Sequence, residues 1–274
     1  MRLFLLYAAC FFLVVCYVNM FPLWVWLLGQ PGYGPWIGRL PVLVTLAVLL
    51  LSIVSSVQRF RKGIRVHFIF LALGIGVAFL ALAVPDPHVP IKRIHVAEYI
   101  ILSFLVRFAL SHRLRGNRLV LFTALVTLLF GIHDEMIQGL HPLRYYGWRD
   151  MIVNGLAGCG GALLGHGLRF FVTASPHDAD HGPRRPVSPA LASFYVLLFA
   201  AVGWLVVALY EQRGGIVPVT SLLPLACMCL VITVLYPEII VDSRVHHGLQ
   251  AVFWLALGLT IYPVLINVAG IRFM

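Results

Sequence analysis

Two short stretches hold most of the residues able to do chemistry. The first reads Lys92-Arg93-Ile94-His95-Val96-Ala97-Glu98-Tyr99. On a helix, Lys92, His95 and Tyr99 share one face and Glu98 lies beside them, because surface neighbours are three and four residues apart. The second runs from His133 to Asn154 and holds Asp134, Glu135, Gln138, Arg144, Arg149, Asp150 and Asn154. Asp134 and Glu135 stand at helical spacing from Gln138, and Asp150 at helical spacing from Asn154. A histidine beside carboxylates can move protons, since a neighbouring glutamate orients the ring and tunes its charge. His95, Glu98 and Glu135 are therefore the acid–base candidates. Lys92, Arg144 and Arg149 suit a phosphate, pyrophosphate or carboxylate, and the planar guanidinium donates two hydrogen bonds to such a group. Tyr99, Asp134, Gln138, Asp150 and Asn154 would orient those cations or hold polar parts of a ligand. Asp150 also suits a helix N-cap.

Other chemistries lack their residues. There is no GxSxG turn, no HExxH, and no cysteine near either stretch. That leaves proton transfer, or activation of water or a hydroxyl. The local Lys and Arg favour an anion over a cation, so neither a metal nor a cofactor is expected. His177 and His181, with Asp178 and Asp180 between them, have clip spacing but fall in a polar stretch and read as a solvated loop. Glu211, Glu238 and Asp242 read as solvated flanks.

The elements that position these residues follow from composition. Of 274 residues, 61% are apolar and 11% charged, and the mean hydropathy is +0.95. A soluble domain has about 45–50% apolar and about 25% charged residues. The apolar residues come in runs long enough for membrane helices, which need about 20 residues each. Nine runs qualify, at about 4–28, 40–57, 66–84, 95–112, 119–138, 151–172, 190–210, 219–236 and 248–268. The first is too long for a signal-peptide core and reads as a transmembrane helix. The runs are continuous and do not alternate in polarity, which excludes a barrel. The expected fold is all-α: a polytopic transmembrane bundle of about nine helices, with a kink at Pro263. Residues 1–172 form six of these helices, 173–189 a polar linker, and 190–274 three more.

Charge sets the expected orientation. The formal charge of +10 reflects basic loops, with no sign of a nucleic-acid partner. Thirteen Lys and Arg fall at one set of helix ends and seven at the other. The richer face should be cytoplasmic, with the N-terminus inside and the C-terminus outside. The basic stretch Gln58–Arg65 belongs to that face and would also attract anionic lipid. Cys10, Cys16, Cys159, Cys227 and Cys229 lie in apolar runs without a CxxC pair and read as packing residues.

In this topology the fourth helix starts, the fifth ends and the sixth starts at the same face. The two stretches then converge on one level. Intramembrane ionisable groups are costly and tend to be functional, although a paired ionic network fixing helix packing would use the same side chains. The sixth helix continues with Gly155, Gly158, Gly161 and Gly165, a small-residue stripe that permits close helix approach.

The pattern K-x-x-H-x-x-E-Y, then D-E-x-x-Q, then R with R-D-x-x-x-N-G-x-x-G, resembles the VanZ-like family of bacterial membrane proteins. It is carried by Lys92, His95, Glu98, Tyr99, Glu135, Gln138, Arg144, Asp150, Asn154, Gly155 and Gly158, within about residues 66–170. Family members often have an acidic residue before the lysine, where this chain has Ile91. The family is named for a protein linked to resistance to teicoplanin, a lipid-bearing glycopeptide. The resemblance implies a bacterial cytoplasmic-membrane protein of the cell envelope. The expected partner is an anionic lipid, lipid-linked precursor or lipoglycopeptide bound at the non-cytoplasmic face. An enzyme acting on such a precursor is the alternative, and a transporter the third.

Overall fold

Long apolar runs must be helical, because a backbone in lipid has to satisfy its own N–H and C=O groups and a helix does so within one segment. The computed structural model describes residues 2–30, 34–141, 144, 147–172, 189–211, 226 and 243–269, and these contain helices and no strand. The helices are α1 (Arg2–Asn19), α2 (Phe21–Leu28), α3 (Gly34–Arg61), α4 (Phe68–Ala83), α5 (Ile94–Ser111), α6 (Gly116–Leu140), α7 (Trp148–Gly167), α8 (Pro189–Glu211), α9 (Ser243–Gly258) and α10 (Ile261–Ala269). A 3₁₀ turn, Pro90–Arg93, leads directly into α5.

Prolines mark the interruptions. Pro22 stands in the first turn of α2, where its missing N–H costs least. Pro263 cannot donate to the carbonyl of Leu259, and the turn before it tightens: Thr260 N–H bonds Leu257 O at 3.0 Å and Tyr262 N–H reaches Leu259 O at 3.4 Å. The expected kink thus becomes a break between α9 and α10. Gly63, at φ 72°, stops α3 by letting Ile64 N–H bond back to Arg59 O at 3.0 Å.

Among the described residues, five segments are long and apolar enough to cross a membrane: Phe4–Leu27, Trp36–Arg61, Pro90–Ser111, Gly116–Leu140 and His247–Ala269. This is consistent with a multi-pass membrane protein. The expected nine crossings are not reached among the described residues. Helix α4 has 16 residues, about 24 Å at the helical rise, against a hydrocarbon core of about 30 Å. Helix α7 carries Arg149, Asp150, Asn154, His166 and its glycines in place of apolar side chains. In α8 the shorter apolar segment Ala200–Glu211 is what qualifies. The run 219–236 and residues 173–188 lie outside the described residues, with His177, Asp178, Asp180, His181, Cys227, Cys229, Glu238 and Asp242.

The chain divides into two compact units, Met1–Gln138 with Gly147–Val172, and Gly139–Tyr146 with Thr173–Met274. In the first, α7 packs on α4 and α5, while α1 and α3 pack on α5. Burial separates inner from outer helices. Pro90–Ser111 and Gly116–Leu140 are each 72% buried, against 24% for Phe4–Leu27 and 28% for Trp36–Arg61. The outer helices turn Phe12, Trp36, Leu43, Leu50, Leu51 and Phe60 outward. An apolar surface of that extent suits lipid contact. Cys10 is buried in this unit, and Cys16 and Cys159 are free and half-buried.

The glycines of α7 serve three neighbours. A Cβ on Gly155 would meet Leu128 Cδ1 at 2.8 Å and one on Gly158 would meet Thr127 Cγ2 at 2.7 Å, both on α6. On Gly161 it would lie 2.7 Å from Ser103 Cβ and 3.0 Å from the Ile100 backbone of α5. On Gly160 it would meet Gly74 O of α4 at 3.2 Å. The stripe therefore centres α7 among three helices. In the second unit, Ala201, Val202, Leu205 and Leu209 of α8 are buried, as are Leu249, Val252 and Ala256 of α9.

Candidate functional site

Antiparallel traversal brings the start of α5, the end of α6 and the start of α7 to one end of the first unit. Ile91, Trp24 and Ile37 form an apolar cluster there that anchors the 3₁₀ turn. Ile91 is buried against Trp24 and Ile37. With the turn fixed, Lys92 reaches across to α7 and its Nζ donates to Asp150 Oδ2 at 2.5 Å. The Lys92 side chain is 38% exposed and that of Asp150 3%, so this ion pair marks the rim.

Asp150 is not the N-cap. Gly147 holds that position, with φ −130°, and Asp150 follows in the first turn. Its carboxylate still gains from the helix N-terminus. A Cβ on Gly147 would come within 2.8 Å of Asp150 Oδ2, so the glycine leaves room for the carboxylate.

Deeper in, the acids form a connected network. His95 Nδ1 lies 3.1 Å from Glu98 Oε2 within α5. Tyr99 donates its hydroxyl to Asp134 Oδ2 at 3.0 Å. The Gln138 amide bridges two acids, donating to Asp134 Oδ1 at 3.0 Å and Glu135 Oε1 at 3.1 Å. Gly147 N–H donates to Glu135 Oε2 at 3.0 Å. Asn154 Nδ2 reaches Gly131 O at 3.4 Å, and Asn154 Oδ1 is buried with no hydrogen-bond partner. His95, Glu98, Tyr99, Asp134, Glu135, Gln138 and Asn154 are all buried.

One cation departs from the expected cluster. Arg149 is exposed, with its guanidinium 5.7 Å from the Trp148 ring centroid. One residue along a helix turns about 100°, so the step that aims Asp150 inward aims Arg149 elsewhere. Arg144 is half-buried in the segment joining α6 to α7, which groups with the second unit.

Sequence reasoning missed two contributors. Tyr17 of α1 donates to the Glu98 carbonyl at 3.0 Å, and its ring lies 6.3 Å from that of Tyr99. It sits in an apolar run 81 residues before Glu98, and no spacing rule links the two. The Gly147 N–H is the other, since a backbone donor leaves no mark on residue type.

The chemistry of the arrangement follows from the count of partners. Three buried carboxylates, Glu98, Asp134 and Glu135, share one imidazole and a set of neutral donors. At the rim, Lys92 adds a cationic charge beside Asp150. His95, oriented by Glu98, can exchange a proton with whatever enters. Fold and site together define a helical protein with segments fit to cross a membrane and an acid-rich polar cluster about one to two turns into one end of its first unit. The chain matches no protein-family model, no curated protein and no solved structure.

Proposed function

We propose that this protein is a VanZ-like member of the bacterial cell envelope whose polar cluster receives the headgroup of an amphiphile from the non-cytoplasmic leaflet. The N-terminus lies in the cytoplasm and the C-terminus outside. The observation that carries the reading is the buried polar cluster of Glu98, Asp134 and Glu135, beside which Asn154 Oδ1 is buried without a hydrogen-bond partner. A buried acceptor is costly unless satisfied, and a headgroup hydroxyl or amine would satisfy Asn154 Oδ1. Lys92, half-exposed at the rim, meets the anionic part of the same molecule. A lipid-linked cell-wall precursor has both features, and so does a lipoglycopeptide. Sequestering the latter would contribute to resistance against drugs such as teicoplanin.

The test is native mass spectrometry of the purified protein for retained amphiphiles. Glu135→Gln and Lys92→Met should each lose a species that the parent protein retains. Arg149→Ala should keep it, since Arg149 lies outside the cluster. Equal retention in the folded Glu135→Gln and Lys92→Met variants would refute the site.

A second reading makes the same site an enzyme on a lipid-linked precursor. The 3.1 Å contact of His95 with Glu98 favours it, because an oriented imidazole is the usual general acid or base. Product formation lost in His95→Ala while the amphiphile is still retained would select this reading.

A further inference from the structure

The opposite end of the first unit carries a second polar arrangement, unused by the reading above. Arg107 lies near the end of α5, 1% exposed, among the largest fully buried side chains of the molecule. Its Nε donates to Phe170 O at 3.1 Å, and one terminal nitrogen is buried with no hydrogen-bond partner. A guanidinium carries five N–H donors and does not give up its charge. The position is built for it: a Cβ on Gly165 would lie 2.7 Å from Arg107 Cδ and 3.3 Å from Nε. Gly165 therefore seats an arginine, a different role from that of its fellow glycines.

The turn after α7 is strained toward the same place. Arg169 at φ 53° and Phe171 at φ 59° occupy the left-handed region without being glycine. Phe170 N–H bonds Gly165 O and Arg169 N–H bonds His166 O, each at 2.9 Å, a helix end that usually employs glycine. Strain held by the surrounding structure tends to mark functional positions. Here it delivers the Phe170 carbonyl to Arg107, while the Arg59 guanidinium lies 4.9 Å from the Phe170 ring centroid. The rings of His67 and His166 stack with centroids 5.5 Å apart. His166 lies within electrostatic reach of Arg107, His67 and Arg169.

All of these groups are cationic or can become so, and no acid of the unit stands near them. The acids of residues 1–138 and 147–172 are Asp86, Glu98, Asp134, Glu135 and Asp150, and each belongs to the polar end. The carbonyl ends of α5 and α7 contribute about half a negative charge each. They do not balance Arg107, Arg59 and Arg169 together. A buried charge left unpaired is unfavourable, and no acid of this unit supplies the counter-charge to Arg107. We infer that Arg107, Arg169, His67 and His166 form a site for a phosphate-type oxyanion, either free phosphate or the headgroup phosphate of an anionic phospholipid. The unpartnered Arg107 nitrogen supplies a charge-assisted donor, and the paired imidazoles can supply ring N–H donors.

The experiment uses the full chain in two settings. In detergent, inorganic phosphate is titrated and thermal unfolding is followed. In nanodiscs, phosphatidylcholine is compared with phosphatidylcholine containing phosphatidylglycerol, and retained lipid is identified by native mass spectrometry. Stabilisation by phosphate in detergent identifies the free anion. Selective retention of phosphatidylglycerol without a phosphate effect identifies the headgroup. Either effect should weaken about 10- to 100-fold in Arg107→Met, as expected for loss of one charge-assisted hydrogen bond. Arg169→Gly guards against misfolding as the cause, since it relieves backbone strain while removing a cation; it should unfold no earlier than the parent and still bind more weakly. The inference is overturned if the parent protein responds to neither phosphate nor phosphatidylglycerol, or if both variants bind as the parent does.

Discussion

Replacing Gly161 with alanine tests the close approach on which the polar cluster depends. The new methyl would lie 2.7 Å from Ser103 Cβ and 3.0 Å from both Cα and O of Ile100. Carbon atoms rest at about 3.5–4.0 Å, so α5 and α7 must part by roughly 1 Å. Two of the three obstacles are backbone atoms and cannot rotate away. Overpacking of this sort costs about 1–3 kcal/mol. The shift also strains the bond from Ser103 Oγ to Gly158 O, now 3.0 Å, at a cost of about 1 kcal/mol. Alanine returns about 1 kcal/mol through helix propensity. The balance is a destabilisation of about 2 kcal/mol, or about 4–8 °C in Tm for a unit of this size. Gly155→Ala is the control. It meets only Leu128 Cδ1, at 2.8 Å, and a leucine can change rotamer, so stability should stay level or rise slightly. Thermal unfolding of the purified protein in detergent, read by a thiol-reactive dye or by loss of monodisperse elution, decides the matter. Equal effects of the two substitutions would refute the packing argument, as would a Gly161→Ala protein as stable as the parent.

Two further predictions concern the first unit. Tyr17→Phe removes the hydroxyl that bonds the Glu98 carbonyl and should cost about 1 kcal/mol, the worth of one buried hydrogen bond; thermal unfolding identical to the parent would show that α1 does not fasten α5 at this point. The orientation predicts that single cysteines at Lys62 and Gly147 label from opposite sides of the membrane, position 62 from the cytoplasm and 147 from outside, and the reverse pattern would invert the bundle.

Much of the fold was legible because helical periodicity is local. The apolar runs announced the helices, and the three- and four-residue spacings placed His95 with Glu98 and Gln138 with Asp134 and Glu135, all within single helices. Contacts between helices were legible only in part. The face shared by Lys92 and Asp150 followed from alternating traversal, but the choice of Asp150 as the partner of Lys92 depended on how closely the glycines let α7 approach. Arg149 stood beside Asp150 in the chain and was grouped with it, although adjacent helix positions point about 100° apart. Nothing in the sequence sets Arg107 apart from the other basic residues of its face, because its burial arises from Gly165 and Phe170, far away in sequence. The crossing count was overestimated for a related reason. Hydropathy along a run does not say where a helix starts and stops, and α4 proved short while α7 proved polar.

The sequence by itself determined that this is a helical chain with segments fit for a membrane, that its acids are scarce, and that several of them cluster. Those properties follow from composition and from the 3.6-residue repeat, which act over a few turns. The tertiary structure alone decided that Lys92 pairs with Asp150, that Tyr17 and the Gly147 N–H belong to the site, and that Arg107 is buried at the other end with a donor left over. Each of these depends on distances of a few ångströms between separate helices, set by side-chain volumes and by the glycines that let backbones meet.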